Sequence, residues 1–355
     1  MKEKLDPSEL VRPAYRAMDL YAPNRKPCAI DLSDNTNLVG VPPSAQAAAA
    51  GFASSVFTRY PSLYGAELKR ALAEYVGVTP DDVVTGCGSD DILDSAIRAM
   101  SDAGDVIAFS DPTFQMLPSF ATMNGLVARS VPLLGASTGY DIDADGLLAT
   151  DARIIYVCSP NNPTGTLASP RSIETLLNRA RGVVILDEAY AEYGGETFAK
   201  RAPTEERLLV VRTLSKAFGL AGMRVGYATG PRALVQAVEK SRGPYKVTAL
   251  AERMAVAALD GDQPWVKARA AEVLESRAQF EVFLRRIGRA TIPSSSNFVL
   301  VPIDRAAERG AALREAGIAV RPFLGLAGFG DALRISVGPW SLMEQTLARF
   351  EEHLR

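Results

Sequence analysis

Histidine is almost missing from this sequence: one residue, His353, serves all 355 positions. That scarcity argues against a Ser-His-Asp triad, a Cys-His dyad or a histidine-built zinc site, so no metal is expected and acid–base work falls to other groups. Cysteine is scarce too. Cys28, Cys87 and Cys158 are an odd number without C-x-x-C spacing, which fits small buried thiols in a reducing compartment. No stretch approaches about 18 uninterrupted apolar residues, and the opening "MKEKLDPSEL" is polar. Neither a membrane span nor a secretory leader is expected, and the chain reads as cytoplasmic. The formal net charge of -2 supplies no general basic field, which makes nucleic acid a poor partner. Neither G-x-G-x-x-G nor G-x-x-x-x-G-K-[ST] occurs, which argues against the usual dinucleotide and ATP sites.

What is present is a series of short apolar runs. "DVVTG" (82–86), "DVIAFS" (105–110), "LVARSVP" (126–132), "RIIYVC" (153–158), "GVVILDE" (182–188), "RLLVVRT" (207–213) and "VGYATG" (225–230) are seven candidate strands. Most are separated by segments long enough for a helix, such as 89–101 and 169–181. Near-continuous apolar strands alternating with helices predict an α/β fold with a mostly parallel sheet covered on both faces. After about residue 245 the texture changes to a long charged amphipathic stretch near 263–287, then "SSNFVLVP", a helix near 304–316, "IAVRP", "ALRISVG" and a final helix to Leu354. This predicts a large domain over 45–245 and a smaller α+β domain from 246–355, joined by the arm 1–44.

Open parallel sheets carry function at the carboxyl ends of their strands. Here those ends hold "GCGSDD" (86–91), "DPTF" (111–114), "SPNNPTG" (159–165), "DEAY" (187–190) and "TLSK" (213–216). Two glycines leading into a helix offer unpaired backbone N–H groups, a natural phosphate cradle. Arg224 and the hydroxyls of Thr213 and Ser215 can bind the same phosphate. Asp187 ends a very apolar strand, where a carboxylate stays ionised only beside a cation such as a protonated ring nitrogen. Lys216, desolvated among glycines, suits a Schiff base with an aldehyde and then the role of general base. A pyridine bearing both an aldehyde and a phosphate would use all these groups together.

The segments "SPNNPTG", "DEAY", "TLSKAFGLAGMRVG" (213–226) and "LRISVG" (333–338) resemble fold-type I pyridoxal-phosphate aminotransferases, and among them the histidinol-phosphate aminotransferase-like group. The likeness runs from about Tyr21 to the C-terminus. It implies pyridoxal 5'-phosphate as cofactor, with Lys216, Asp187 and Tyr190 as the catalytic set. Ser89, Asp90, Thr213, Ser215 and Arg224 would surround its phosphate, Phe114 would stack on its ring, and Asn162 with Tyr190 would meet its phenolic oxygen. Arg334 would grip the substrate carboxylate, while Tyr21, Asn162, Tyr245 and Arg321 would border the substrate. Tyr60 of "RYPSLYG" (59–65) would reach the neighbouring subunit's phosphate, which implies a homodimer. The partners implied are a small amino donor and a 2-oxo acid, glutamate with 2-oxoglutarate as the second pair, in a pathway such as histidine biosynthesis.

Three positions depart from that group's pattern: "NTNL" (35–38) replaces "NENP", Phe114 replaces a tyrosine, and "GSDD" (88–91) replaces "GSDE". By the resemblance none of them touches the Schiff-base chemistry, while the N-terminal arm and Phe114 border the substrate side. An aromatic or specialised-metabolite aminotransferase therefore remains an alternative, as does a decarboxylase of the threonine-phosphate decarboxylase-like group. A penicillin-recognising serine enzyme is disfavoured because K-T-G is absent.

Overall fold

The computed structural model describes residues 6–20, 26–136 and 139–355. All seven predicted strands form, and they form one sheet: β1 (Val83–Cys87), β2 (Val106–Asp111), β3 (Val127–Pro132), β4 (Ile154–Cys158), β5 (Val183–Asp187), β6 (Leu208–Thr213) and β7 (Val225–Thr229). Their spatial order is β1-β7-β6-β5-β4-β2-β3. Strands β4 to β7 are buried at every position, the reason their sequences read as unbroken apolar runs rather than alternating ones.

One strand departs from the parallel pattern. β7 runs antiparallel between β1 and β6, with Gly226 opposite both Gly86 and Thr213. Arg224 immediately precedes β7, so this reversal brings it to the rim where β1, β2, β4, β5 and β6 end. The helix α1 (Gly88–Met100) leaves that rim and buries Ile92, Leu93, Ala96, Ile97 and Met100 along one stripe. Each large aliphatic side chain of this kind contributes about 1.5–3 kcal/mol relative to exposure.

The remainder of the chain builds a second layer. Strands β8 (Phe298–Pro302), β9 (Arg321–Leu326) and β10 (Gly330–Ser336) make an antiparallel sheet with β10 central. The short strand Ile30–Asp31 runs parallel to Ile318–Ala319, and the Ser336 amide donates to the Leu32 carbonyl. The arm is thereby stitched into this layer. The charged amphipathic stretch is one 24-residue helix, Gln263–Arg286, whereas the expected final helix divides into Trp340–Glu344 and Leu347–Leu354. A small antiparallel pairing of Leu134–Ala136 with Gly139–Asp141 had no clear signal in the sequence. No helix among the described residues is long and apolar enough to cross a membrane.

Candidate active site

Asp187 closes β5 and is 4% exposed. Tyr156 Oη donates to its Oδ2 at 2.8 Å and the Ala189 amide donates to its Oδ1 at 3.0 Å. Burial pushes the carboxyl up to about 6, against these two bonds, with Asp90 adding to the rise and Lys216 opposing it. Both bonded partners are neutral, so a cation placed beside Asp187 would relieve the cost of its charge. Tyr156 escaped the sequence reading because it sits inside an apolar strand run. Its one signal was a hydroxyl in an otherwise aliphatic, fully buried strand, where a phenol normally finds a partner.

Lys216 lies beyond the end of β6 with its Nζ 5.6 Å from the Tyr190 ring centroid, donating to the Asp34 carbonyl at 3.2 Å. Burial pushes its amine down to about 8, assisted by the positive field of Arg334 and Arg224. A substantial fraction is therefore neutral near physiological pH, as a nucleophile or base requires. The Tyr190 hydroxyl accepts from Asn35 Nδ2 at 3.1 Å, and burial raises the phenol's pKa. Its proton remains available to donate. Asn35 in turn is fixed by Ser336 and Asn297, at 2.9 Å through its amide nitrogen and 3.1 Å through its carbonyl. The bonds among these three residues went unread, although "NTNL" and "LRISVG" had been singled out, because they join positions 35, 297 and 336 across most of the chain.

Arg334, 7% exposed on β10, donates through Nη1 to Asn162 Oδ1 at 2.5 Å and through Nη2 to the Ser33 carbonyl at 2.6 Å. Its guanidinium carbon lies 5.5 and 5.6 Å from the ring centroids of Phe298 and Phe323. Asn162 Oδ1 is thus committed to Arg334, and its Nδ2 is the donor left for another oxygen. At the start of α1, Gly88 has φ +81°, and a Cβ there would come within 2.5 Å of Arg224 Nη2. A Cβ on Gly226 would come within 2.2 Å of the Gly88 carbonyl carbon. Both glycines keep this corner open for the arginine and the helix start. Arg224 Nη2 donates to Asp90 Oδ2 at 3.3 Å, while the Thr213 and Ser215 hydroxyls lie 2.9 Å apart. On the other side of β6, buried Arg212 pairs with Glu192 at 2.6 Å, anchoring the segment after Tyr190 to that strand.

The remaining predicted positions are less central. Phe114 is partly buried after β2, against the cluster that includes Leu117 and Phe120. Arg321 starts β9 directly opposite Arg334 and donates through Nη2 to Gln115 Oε1 at 3.2 Å. Tyr60 and Tyr245, expected at a partner's phosphate and at the substrate, stack on each other with centroids 4.9 Å apart and are 84% and 42% exposed. Ser89 stands in the first turn of α1. Tyr21 lies outside the described residues.

The donor set fits a pyridine aldehyde phosphate. Asp187 suits its ring nitrogen, Tyr190 and Asn162 offer hydrogens to a phenolic oxygen, and the α1 start with Arg224, Thr213 and Ser215 suits a phosphate. The sheet and this rim define a pyridoxal 5'-phosphate-dependent enzyme of fold type I. The chain belongs to the aminotransferase class I and II family, whose model matches residues 28–350. It is 35% identical over 336 residues to an aromatic amino acid aminotransferase of Mycobacteroides abscessus, covering 92% of this chain and 94% of that one. It is 37% identical over 323 residues to histidinol-phosphate aminotransferase 1 of Cupriavidus pinatubonensis, covering 87% and 84%. The histidinol-phosphate aminotransferase of Sinorhizobium meliloti, solved in complex with pyridoxal-5'-phosphate, superposes with a TM-score of 0.87 at 26% identity, covering 97% of both chains.

Proposed function

We propose that this aminotransferase takes its amino group from histidinol phosphate or a closely related phosphate-bearing amine and gives it to a 2-oxo acid, with 2-oxoglutarate and glutamate as the second pair. One observation carries this reading: Arg321 and Arg334 stand directly opposite each other on β9 and β10. A single arginine suffices for the carboxylate of an amino acid. Two arginines at facing strand positions suit a phosphate, whose charge at neutral pH exceeds one.

Bound pyridoxal 5'-phosphate supplies an aldehyde that condenses with amines and an electron-withdrawing ring. The α1 start at Ser89 and Asp90, with Thr213, Ser215 and Arg224, would hold its phosphate, while Asp90 orients Arg224. Asp187 would keep a proton on the ring nitrogen, held in place by Tyr156 and the Ala189 amide. Tyr190 and Asn162 would each donate a hydrogen bond to the phenolic oxygen, and Phe114 would cover one face of the ring. Lys216 would carry the proton away from the donor's α-carbon, its neutral amine favoured by burial and by the nearby arginines. Arg334 would bind the donor's anion, or the α-carboxylate of the returning amino acid.

Loss of Arg321 is expected to be selective. In Arg321→Ala, kcat/KM for histidinol phosphate should fall about 10- to 10²-fold more than kcat/KM for phenylalanine, the amount usual for a lost charge-assisted contact in a partly dry site. Steady-state assays with both donors measure it. Equal loss for both donors, or none, would instead favour an aromatic aminotransferase, the activity named for the Mycobacteroides abscessus relative.

The exposed Tyr60, with Phe57, Leu63 and Tyr64 nearby on the same surface segment, supports a homodimer in which Tyr60 completes the neighbouring site. Mixing Lys216→Ala chains with Tyr60→Ala chains should then restore activity, because one of the two sites in the mixed dimer carries both native groups. A monomer that is fully active in sedimentation at assay concentration would refute it.

A further inference from the structure

Asn35 holds a left-handed backbone, with φ +54°, a conformation that asparagine tolerates better than most residues but still at some cost. It is 1% exposed, and each of its polar atoms is bonded. Its amide donates to Ser336 Oγ at 2.9 Å, and its carbonyl accepts from Asn297 Nδ2 at 3.1 Å. Its Oδ1 accepts from Ser336 Oγ at 3.1 Å, and its Nδ2 donates to Tyr190 Oη at 3.1 Å. Strained backbone persists where the surroundings over-determine it, and such positions cluster at functional sites.

The direction of the bond to Tyr190 follows from the others. A serine hydroxyl has one hydrogen. Ser336 gives that hydrogen to Oδ1 while accepting the Asn35 backbone hydrogen, which leaves the side-chain NH2 facing Tyr190. A phenol likewise has one hydrogen and two lone pairs. With one lone pair taken by Asn35, the Tyr190 hydrogen is turned away from it and into the site. Ring motion adds little freedom, because Tyr190 is buried and packs edge-on against Phe298 with centroids 5.3 Å apart. The hydroxyl torsion remains to be set, and among the described residues Asn35 is its hydrogen-bonding partner. The titratable groups whose fields reach this phenol are Arg334, Cys158, Asp187 and Lys216. The same stretch of arm also meets two of them: the Ser33 carbonyl accepts from Arg334 Nη2 at 2.6 Å, and the Asp34 carbonyl accepts from Lys216 Nζ at 3.2 Å.

We infer that Asn35 is a positioning residue of this enzyme: by donating to the Tyr190 hydroxyl, it aims the phenol's single hydrogen at the phenolic oxygen of the cofactor. This rests on the reading of Tyr190 as a donor to that oxygen. Asn35 acts through Tyr190 and touches no reacting atom.

The test uses holoenzymes of wild type, Asn35→Gly, Asn35→Asp and Tyr190→Phe, with each Asn35 substitution made alone and together with Tyr190→Phe. Glycine accepts the left-handed backbone and removes only the amide group. Aspartate keeps the shape and the acceptor for Ser336, but presents an oxygen to Tyr190 and so draws its hydrogen the wrong way. Two quantities are measured: the pH midpoint of the change in the bound cofactor's visible absorption, and kcat/KM for histidinol phosphate and for phenylalanine. A hydrogen bond donated to an ionised oxygen favours the ionised form, so a lost or misdirected hydrogen raises the midpoint. Asn35→Gly is expected to raise it by about half a unit to one unit and to lower kcat/KM about 3- to 10-fold, the effect of one hydrogen bond. Asn35→Asp should do more of both. In the Tyr190→Phe background Asn35→Gly should change neither quantity further, and the effect of Asn35→Asp should shrink to that of its charge. A role confined to holding the arm would cost the same in both backgrounds. Such additivity, or an unchanged midpoint in the Asn35 variants while Tyr190→Phe raises it, overturns the inference and leaves the reading of Tyr190 standing. If Tyr190→Phe itself leaves the midpoint unchanged, both fall together. Should Asn35→Gly fail to fold, Asn35→Asp decides by the same comparison between backgrounds.

Discussion

Replacing Lys216 by alanine is expected to reduce turnover by about 10⁴-fold, the upper range for removing a positioned proton-transfer group. The chain has no histidine near the site to substitute for it, since His353 lies in the last helix. The remaining rim should still hold the cofactor non-covalently through Arg224, Thr213, Ser215 and the start of α1. Wild-type protein should therefore be yellow and, after borohydride reduction, carry the cofactor fixed to Lys216. The variant should bind cofactor but release it all on denaturation after the same treatment. Substantial multiple-turnover activity in Lys216→Ala would remove that lysine from the mechanism.

Asp187→Asn is expected to cost about 10²-fold or more in rate, roughly 3 kcal/mol of barrier, because the amide has nearly the same shape but cannot stabilise a protonated ring nitrogen. Tyr156→Phe should cost less, about 10-fold, the loss of one hydrogen bond to a charged group. Stability of the cofactor-free protein should move the other way. Burial raises the Asp187 carboxyl from its ordinary 3.8 to about 6, so between those pH values the native state holds a proton that the unfolded chain releases. Stability from this group is lost as pH rises through that window, and the deficit persists above it. Cofactor-free Asp187→Asn should consequently be more stable than cofactor-free wild type at pH 8, by about 2–3 kcal/mol at most, with the gap narrowing toward pH 5. Thermal unfolding at the two pH values measures it, and a gap independent of pH would contradict the raised carboxyl.

The sheet was legible because parallel strands buried on both faces must be apolar throughout, and turns at their carboxyl ends concentrate Gly, Pro, Asn and Ser. The five predicted rim segments do converge, and Lys216, Asp187, Tyr190, Asn162 and Arg334 form one connected neighbourhood. The reversal of β7 was not legible, since an apolar run carries no direction. Tyr156 was hidden by its strand, and the bonds among Asn35, Asn297 and Ser336 were hidden by sequence distance. The bond from Arg321 to Gln115 was hidden in the same way, since the two lie 206 positions apart. The stacking of Tyr60 on Tyr245 was unreadable for the same reason.

The stitching of the arm into the second layer sets an order of events during synthesis. Asn35 reaches Tyr190, and the Asp34 carbonyl reaches Lys216. The arm itself is held by Ile318–Ala319, Asn297 and Ser336. Chains grow from the N-terminus at about 5–20 residues per second, so residues 30–37 leave the ribosome tens of seconds or less before their partners. Until roughly the last tenth of the chain has emerged, a nascent molecule lacks the strands that hold the arm against Tyr190 and Lys216. Cofactor capture should therefore be a late event in biogenesis, and ribosome-stalled chains ending before residue 318 should bind the cofactor weakly if at all.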